Sequence, residues 1–157
     1  MALSTGATFT TMSVDPGVLD ANVLAYAVDA DAPHHAASRA LLDAASDPSI
    51  ALYVTSQILC EFYSVITNPR RVRVVSSSAE ALSIISAMLA LPGLFVLPTP
   101  ARAVAGWMQL LQRHPVTGGD VFDFQIVATM QANGIQRICT FNTDDFKVFP
   151  ELAVLAP

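Results

Sequence analysis

The pattern of apolar residues predicts an α/β fold, a three-layer α/β/α sandwich around a central, mainly parallel sheet of four to five strands. Three observations carry this. Apolar runs of strand length stand at Val14–Leu19, Ile50–Val54, Leu94–Leu97 and Ile135–Thr140, with a short fifth near Leu152–Leu155. Helical stretches with their own start and stop signals separate these runs, and such alternation marks parallel strands joined by crossovers. The 157 residues, 53% of them hydrophobic, suffice for one core and one domain.

Taken in order, residues 1–12 are rich in Ser and Thr and show no apolar periodicity, which predicts a flexible extension followed by one domain over 13–157. The first strand is irregular, because Pro16 and Gly17 interrupt it, and it ends at Asp20. Ala21–Val28 reads as a helix, and a second opens at Pro33-His34 and runs to about Ala45. Asp47-Pro48-Ser49 is a turn before the second strand. Thr55-Ser56 supplies an N-cap for a helix over Gln57–Thr67, which Asn68-Pro69 stops. Arg70–Val75 is a connector, and Ser77-Ser78 caps an apolar helix through about Ala90. After the third strand, Ala101–Arg113 reads as a helix and His114–Gly119 as a loop. Asp120 is expected to cap the last helix, which ends at Asn133-Gly134 with glycine in the usual C-terminal place.

Composition bounds the function. Thirteen Asp and Glu against eight Lys and Arg give a net charge of -5, so the chain does not hold nucleic acid by bulk positive charge. A nuclease stays open, since a metal ion can bridge carboxylates to phosphate oxygens. The charged fraction, 13%, is about half the usual share, which points to apolar surface covered by another chain. Cys60 and Cys139 belong to no CxxC pair, and a reduced, cytoplasmic setting is expected. Met1–Thr11 lacks the basic residues and apolar run of a signal peptide. Ala79–Leu97 is broken by Pro92-Gly93, and no membrane span is expected.

In open α/β sheets the ligand site lies beyond the carboxyl ends of the strands. Asp20 ends the first strand and Thr140 the fourth. Glu61 lies on the helix after the second strand, Asp120 and Asp123 in the first turn of the last helix, and Asn142, Asp144 and Asp145 just after Thr140. Four parts of the chain thus bring carboxylates or amides to one edge. Gathered carboxylates repel, by roughly 4 kcal/mol per pair at about 4 Å in a dielectric near 20, so they must take up protons or a cation. All-oxygen donors select a hard ion, Mg2+ or Mn2+, and the chemistry this favours is metal-assisted attack of water on phosphorus.

Blander readings stand beside these. Asp20 and Asp120 could be helix caps, and Asp144 and Asp145 turn acids. Glu61 shares a helical face with Gln57, Ser64 and Asn68 that could be a solvated stripe or the wall of a polar cleft. His34-His35 could ligate a metal, but adjacent histidines point different ways on a helix and no acid pairs with them at i+4; His114 reads as a loop residue, and Cys60 and Cys139 as core. Arg70, Arg71 and Arg73 form the only basic cluster, either a solvated connector or a place for contacts to a nucleic-acid backbone or an acidic partner segment. No GxGxxG, Walker loop or GxSxG is present.

Four segments in this order resemble the PIN-domain ribonucleases, in particular the VapC-type toxins: Leu19-Asp20-Ala21-Asn22-Val23-Leu24; Glu61-Phe62 with Ile66-Thr67-Asn68-Pro69-Arg70; Thr117 to Asp123; and Thr140-Phe141-Asn142-Thr143-Asp144-Asp145-Phe146. The likeness runs from about Val14 to Pro157. It implies that Asp20, Glu61 and Asp123 hold Mg2+ or Mn2+ and position the attacking water. It also implies that Asn142, where relatives often carry Asp, completes the pocket with Asp145, while Asp120 supports or caps. The expected substrate is RNA, in some relatives tRNA, and the expected partners are a VapB-like antitoxin and a second copy of the chain. The resulting expectation is a metal-dependent endoribonuclease, the toxin of a type II toxin–antitoxin module. The alternatives are a catalytically silent PIN-like binding module, which Asn142 keeps open, and a housekeeping RNA-processing nuclease. A haloacid dehalogenase type of phosphatase fits poorly, since its second Asp is replaced by Asn22.

Overall fold

Five short strands form one sheet, and in the computed structural model, which describes residues 14–157, every pairing is parallel. They are β1 (Gly17–Leu19), β2 (Leu52–Thr55), β3 (Leu94–Leu97), β4 (Arg137–Cys139) and β5 (Ala153–Leu155), in the order β3-β2-β1-β4-β5. The extension expected over residues 1–12 lies outside the described residues. Val18, Leu19, Leu52, Val54 and Ile138 are fully buried, as strands covered on both faces require. Among the described residues six helices cover them: α1 (Ala21–Val28), α2 (His35–Ala44), α3 (Ser56–Ile66), α4 (Ser78–Leu89), α5 (Ala101–Arg113) and α6 (Val121–Ala132). Helix α1 packs on α2 and α3, α3 on α4, and α5 along α6. Among the described residues no helix is long and apolar enough to cross a membrane.

Local chemistry explains the boundaries. Pro16 lacks an amide hydrogen and stays outside the ladder, so β1 is shorter than the run from Val14; Gly17 does not interrupt the strand but begins it. Thr55 Oγ1 accepts from the Ile58 amide at 3.1 Å and starts α3. Ser77 and Glu80 form a reciprocal capping box on α4. Gly134, at φ +71°, turns the chain out of α6. One expectation fails here: Asp120 makes no capping hydrogen bond. It is the last residue of a tight turn, Gly118–Asp120, and already has helical backbone angles, so its carboxyl cannot reach back over the first amides of α6.

The strand order positions the site. The chain builds β1, β2 and β3 outward in one direction, then returns to lay β4 on the other side of β1. At such a switch the loops after the two central strands diverge and leave a crevice at their carboxyl ends. Asp20 follows β1 and Thr140 follows β4, and the Asp20 amide donates to the Cys139 carbonyl at 3.0 Å, fixing their register.

Gly93 marks the tightest backbone approach. A Cβ there would lie 2.7 Å from the Asp47 carbonyl oxygen and 2.9 Å from those of Ala45 and Ile50. Its own amide donates to Ala45 at 2.8 Å, so the turn before β3 cannot retreat cheaply. Gly93→Ala is expected to lower the thermal midpoint by roughly 3–10 °C, followed by circular dichroism; an unchanged midpoint would show that this turn yields freely.

Candidate active site

Asp20 is held by three donors. Its Oδ1 accepts from the Ala21 amide at 2.7 Å, and its Oδ2 from Thr140 Oγ1 at 2.6 Å and Asn22 Nδ2 at 2.9 Å. The capping and site readings of Asp20 are therefore not exclusive: one oxygen starts α1, the other is set by Thr140 and Asn22. Thr140 has a single hydroxyl hydrogen, which goes to Asp20; its oxygen accepts from Asn22 Nδ2 at 3.1 Å and from the Asn142 amide at 3.0 Å. Asn22 Oδ1 in turn accepts from the Phe141 amide at 3.1 Å. Asn22 and Thr140 thus sew the chain after β4 onto the start of α1.

Glu61 is half-buried on α3. Its Oε1 accepts from Gln57 Nε2 at 2.7 Å, and the same nitrogen donates to the Phe122 carbonyl at 2.9 Å. Gln57 therefore ties Glu61 to the start of α6, one residue before Asp123. The remaining amide oxygen of Gln57 is buried without a partner among the described residues.

A cavity of about 680 Å³ opens over these groups, and Asp20, Glu61, Asp123 and Asn142 all line it. Asp145 does not line it, but its charge acts on both Asp20 and Asp123. Asp144 turns away into an exposed ion pair with Lys147 at 2.5 Å. Cys60, expected in the core, is exposed on the cavity wall, because it lies on the face of α3 that carries Gln57, Glu61 and Ser64; Cys139 is buried. His34 is exposed and stacks on Phe141, and His35 Nδ1 meets the Tyr26 carbonyl at 2.9 Å.

The electrostatics show strain. Burial raises the Asp20 carboxyl above its ordinary pKa; hydrogen bonds from Thr140, Ala21 and Asn22 oppose this, and the Asp145 charge adds to it. Burial also raises Glu61, against the Gln57 hydrogen bond and with the Asp20 charge. Asp123 is pushed up to about 7, first by burial and then by Asp145, Asp20, Glu61 and Asp120. Among the described residues none of these carboxylates pairs with Lys or Arg.

Such a donor set suits a hard divalent cation, which would relieve the repulsion. Among the described residues no three acid, histidine or cysteine side chains are drawn into a ready-made cage. Mg2+ keeps several of its waters and is usually held by one or two carboxylates, so it does not require such a cage. Asp20, Asp123 and Glu61 are the residues that would hold the ion. The helical face of Gln57, Glu61, Ser64 and Asn68, open in the sequence between a solvated stripe and a cleft wall, lines the cavity; the bonds by which Gln57 and Asn22 hold the two acids have no signal in the sequence beyond spacing.

Known proteins share this plan. The profile of the PIN domain family matches residues 17–152. Ribonuclease VapC43 of Mycobacterium tuberculosis (strain ATCC 25618 / H37Rv) is 31% identical over 110 residues, 70% of this chain and 75% of that protein. A VapC ribonuclease of Mycobacterium bovis matches to the same extent. Among solved structures, VapC20 of Mycobacterium tuberculosis, described as a sarcin–ricin loop cleaving toxin, superposes with a TM-score of 0.66 at 18% identity, covering 91% of this chain and 100% of its own. VapBC2 of Rickettsia felis, solved bound to a DNA fragment from its promoter, gives 0.64 at 17% identity over 90% of this chain and 98% of its own. At these identities the two structures speak for the fold.

The Asp123 displacement has a stability consequence. Its carboxyl binds a proton more tightly folded, at about 7, than unfolded, at 3.8. The group's favourable contribution is complete below about pH 4 and is lost as pH rises through 7. A displacement this large is worth about 4 kcal/mol in a fully buried site, and solvent screening of a half-exposed carboxyl reduces this to roughly 1–2 kcal/mol. In chelator, Asp123→Asn should therefore be more stable than the parent by that amount at pH 8 and equal to it near pH 4, measured by urea unfolding. An equal difference at both pH values would contradict the electrostatic account.

Proposed function

The chain belongs to the PIN-domain family, among the VapC-type ribonucleases, and from that premise we propose that it is a metal-dependent endoribonuclease acting as the toxin of a type II toxin–antitoxin pair. The observation that carries this reading is the meeting of Asp20, Glu61 and Asp123, from three distant parts of the chain, on one cavity without a cationic partner. Mg2+ or Mn2+ bound there would favour deprotonation of the attacking water and offset negative charge on the phosphate.

The chain's own groups do the positioning. The Thr140 hydroxyl and Asn22 Nδ2 both donate to Asp20 Oδ2 and fix the orientation of that carboxylate. Gln57 holds Glu61 at a set distance from the start of α6 and so from Asp123. Asn142 faces the same cavity, and Asp145 adds negative charge at its margin, completing the pocket. RNA enters as a polyanion that the acidic wall alone would repel, so binding depends on the ion.

The remaining assignments rest on the family and on surface chemistry. The relative described as cleaving the sarcin–ricin loop acts on a folded RNA, and folded RNA, tRNA included, is the substrate class we assign. An antitoxin of the VapB kind is the regulatory partner. A second copy of the chain is the natural cover for exposed apolar side chains such as Leu82, Leu89, Val104 and Met108. With both cysteines free, the working compartment is the cytoplasm.

Asp20→Asn and Asp123→Asn should each reduce Mg2+-dependent RNA cleavage at least about 100-fold while leaving the far-ultraviolet spectrum intact, because a metal ligand supplies several kcal/mol of charge stabilisation. Thr140→Val, which frees Asp20 and removes the acceptor of Asn22 and of the Asn142 amide but no proposed metal ligand, should cost roughly 10–100-fold. Full cleavage by either aspartate variant would remove the role assigned to it. A parent chain that binds Mn2+ but cleaves no RNA would favour the silent binding module.

A further inference from the structure

The cavity changes character along its length. Asp20, Glu61 and Asp123 lie toward the carboxyl edge of the sheet and Asp29 at the far end of α1, whereas the one cation among its described lining residues is Arg71, just past the end of α3. Five residues of helix, about 7.5 Å, separate Glu61 from Ile66, and the turn bearing Arg71 follows. That turn is built, not loose. The Arg70 amide donates to Asn68 Oδ1 at 2.9 Å, the Arg71 amide to the Asn68 carbonyl at 2.9 Å, and the Ser76 amide returns to the Ile66 carbonyl at 2.9 Å. Asn68 also lines the cavity beside Arg71.

The arginines of this turn are unengaged. Arg39 pairs with Asp43, Arg137 with Asp15 and Lys147 with Asp144, but among the described residues Arg70, Arg71 and Arg73 have no acidic partner within 4.0 Å. Arg71 shares a cavity with four carboxylates, those of Asp20, Asp29, Glu61 and Asp123, and among the described residues pairs with none of them. Among the described residues its guanidinium thus makes no ion pair, which leaves its donors for a ligand and leaves Asp20, Glu61 and Asp123 unneutralised for a metal ion. In a chain of net charge -5, an arginine inside the cleft is a local attraction for a polyanion that the rest of the surface repels.

We propose that Arg71, seated on the Asn68 turn, is a phosphate subsite: it takes the phosphate of a nucleotide flanking the scissile bond by the two-pronged hydrogen bonding that a planar guanidinium offers. This rests on the ribonuclease reading above. The acids and their ion act on one phosphate while Arg71 holds another along the same strand, so the cavity sets which bond is presented. Arg71 is a binding residue in this account and touches no reacting atom.

The test uses the unaltered full chain with Ca2+ in place of Mg2+ to slow cleavage, a short fluorescein-labelled oligouridylate as probe and fluorescence anisotropy as readout. Adding Arg71→Gln should raise Kd about tenfold and reduce the slope of log Kd against log salt by about 0.7, one phosphate contact on a single strand. Arg71→Lys should recover part of the affinity and most of the slope, since it keeps the charge and loses the fork. Circular dichroism of Arg71→Gln should match its parent. An oligonucleotide affinity and salt slope unchanged by Arg71→Gln would overturn the subsite alone and assign the arginine to a protein partner. Failure of the parent itself to bind the oligonucleotide would overturn the ribonuclease reading and the subsite together.

Discussion

The pairing of β1 with β4 is the constraint on which the site depends. It sets Leu19 beside Cys139, and therefore Asp20 beside Thr140, at a separation of 120 residues in the chain. Once the two are neighbours, the short hydrogen bond from the threonine hydroxyl orients the aspartate, and Asn22 locks the arrangement by bonding both. The fully buried residues around the switch, Val18, Leu19 and Ile138, give this register its rigidity, because a slip would force close-packed side chains on both faces of the sheet to repack. The chemistry rests on a feature of sheet topology rather than on any local motif.

The second feature is electrostatic. Burial and mutual repulsion raise the proton affinity of Asp20, Glu61 and Asp123, and the folded chain carries no basic group against them among the described residues. Hydrogen bonds from Thr140, Ala21, Asn22 and Gln57 offset only part of this. Residual repulsion of this kind is the form in which a protein stores an affinity for a cation, and it sets stability against the proposed function at Asp123. Arg71 fits the same logic: a positive charge is present in the cleft but among the described residues pairs with none of the acids, so it does not cancel the site it serves.

Much of this was legible in the chain. Apolar runs located all five strands, although Pro16 and the outer residues of the longer runs fell outside the ladder, where pairing rather than hydropathy decides the boundary. Asp20 and Thr140 were placed correctly at strand ends by the rule for open sheets, and Glu61 and Asp123 by their positions on the helices that follow. What escaped was tertiary. Cys60 looked like core because its neighbours are apolar, yet the helix phase sets it on the polar side with Glu61. Asp120 had the sequence signature of a cap, but the turn at Gly118–Asp120 had already wound the backbone. Asn22 and Gln57 act through partners 118 and 65 residues away, Thr140 and Phe122, and no local pattern encodes such contacts.

The central claim is that the carboxylates of Asp20 and Asp123 share one divalent cation. Anomalous diffraction from crystals soaked in Mn2+ tests it most directly. The account requires a manganese peak inside the cavity, within bonding distance of oxygens of both aspartates. A peak elsewhere on the surface, with the space between these two side chains empty at saturating Mn2+, would contradict it.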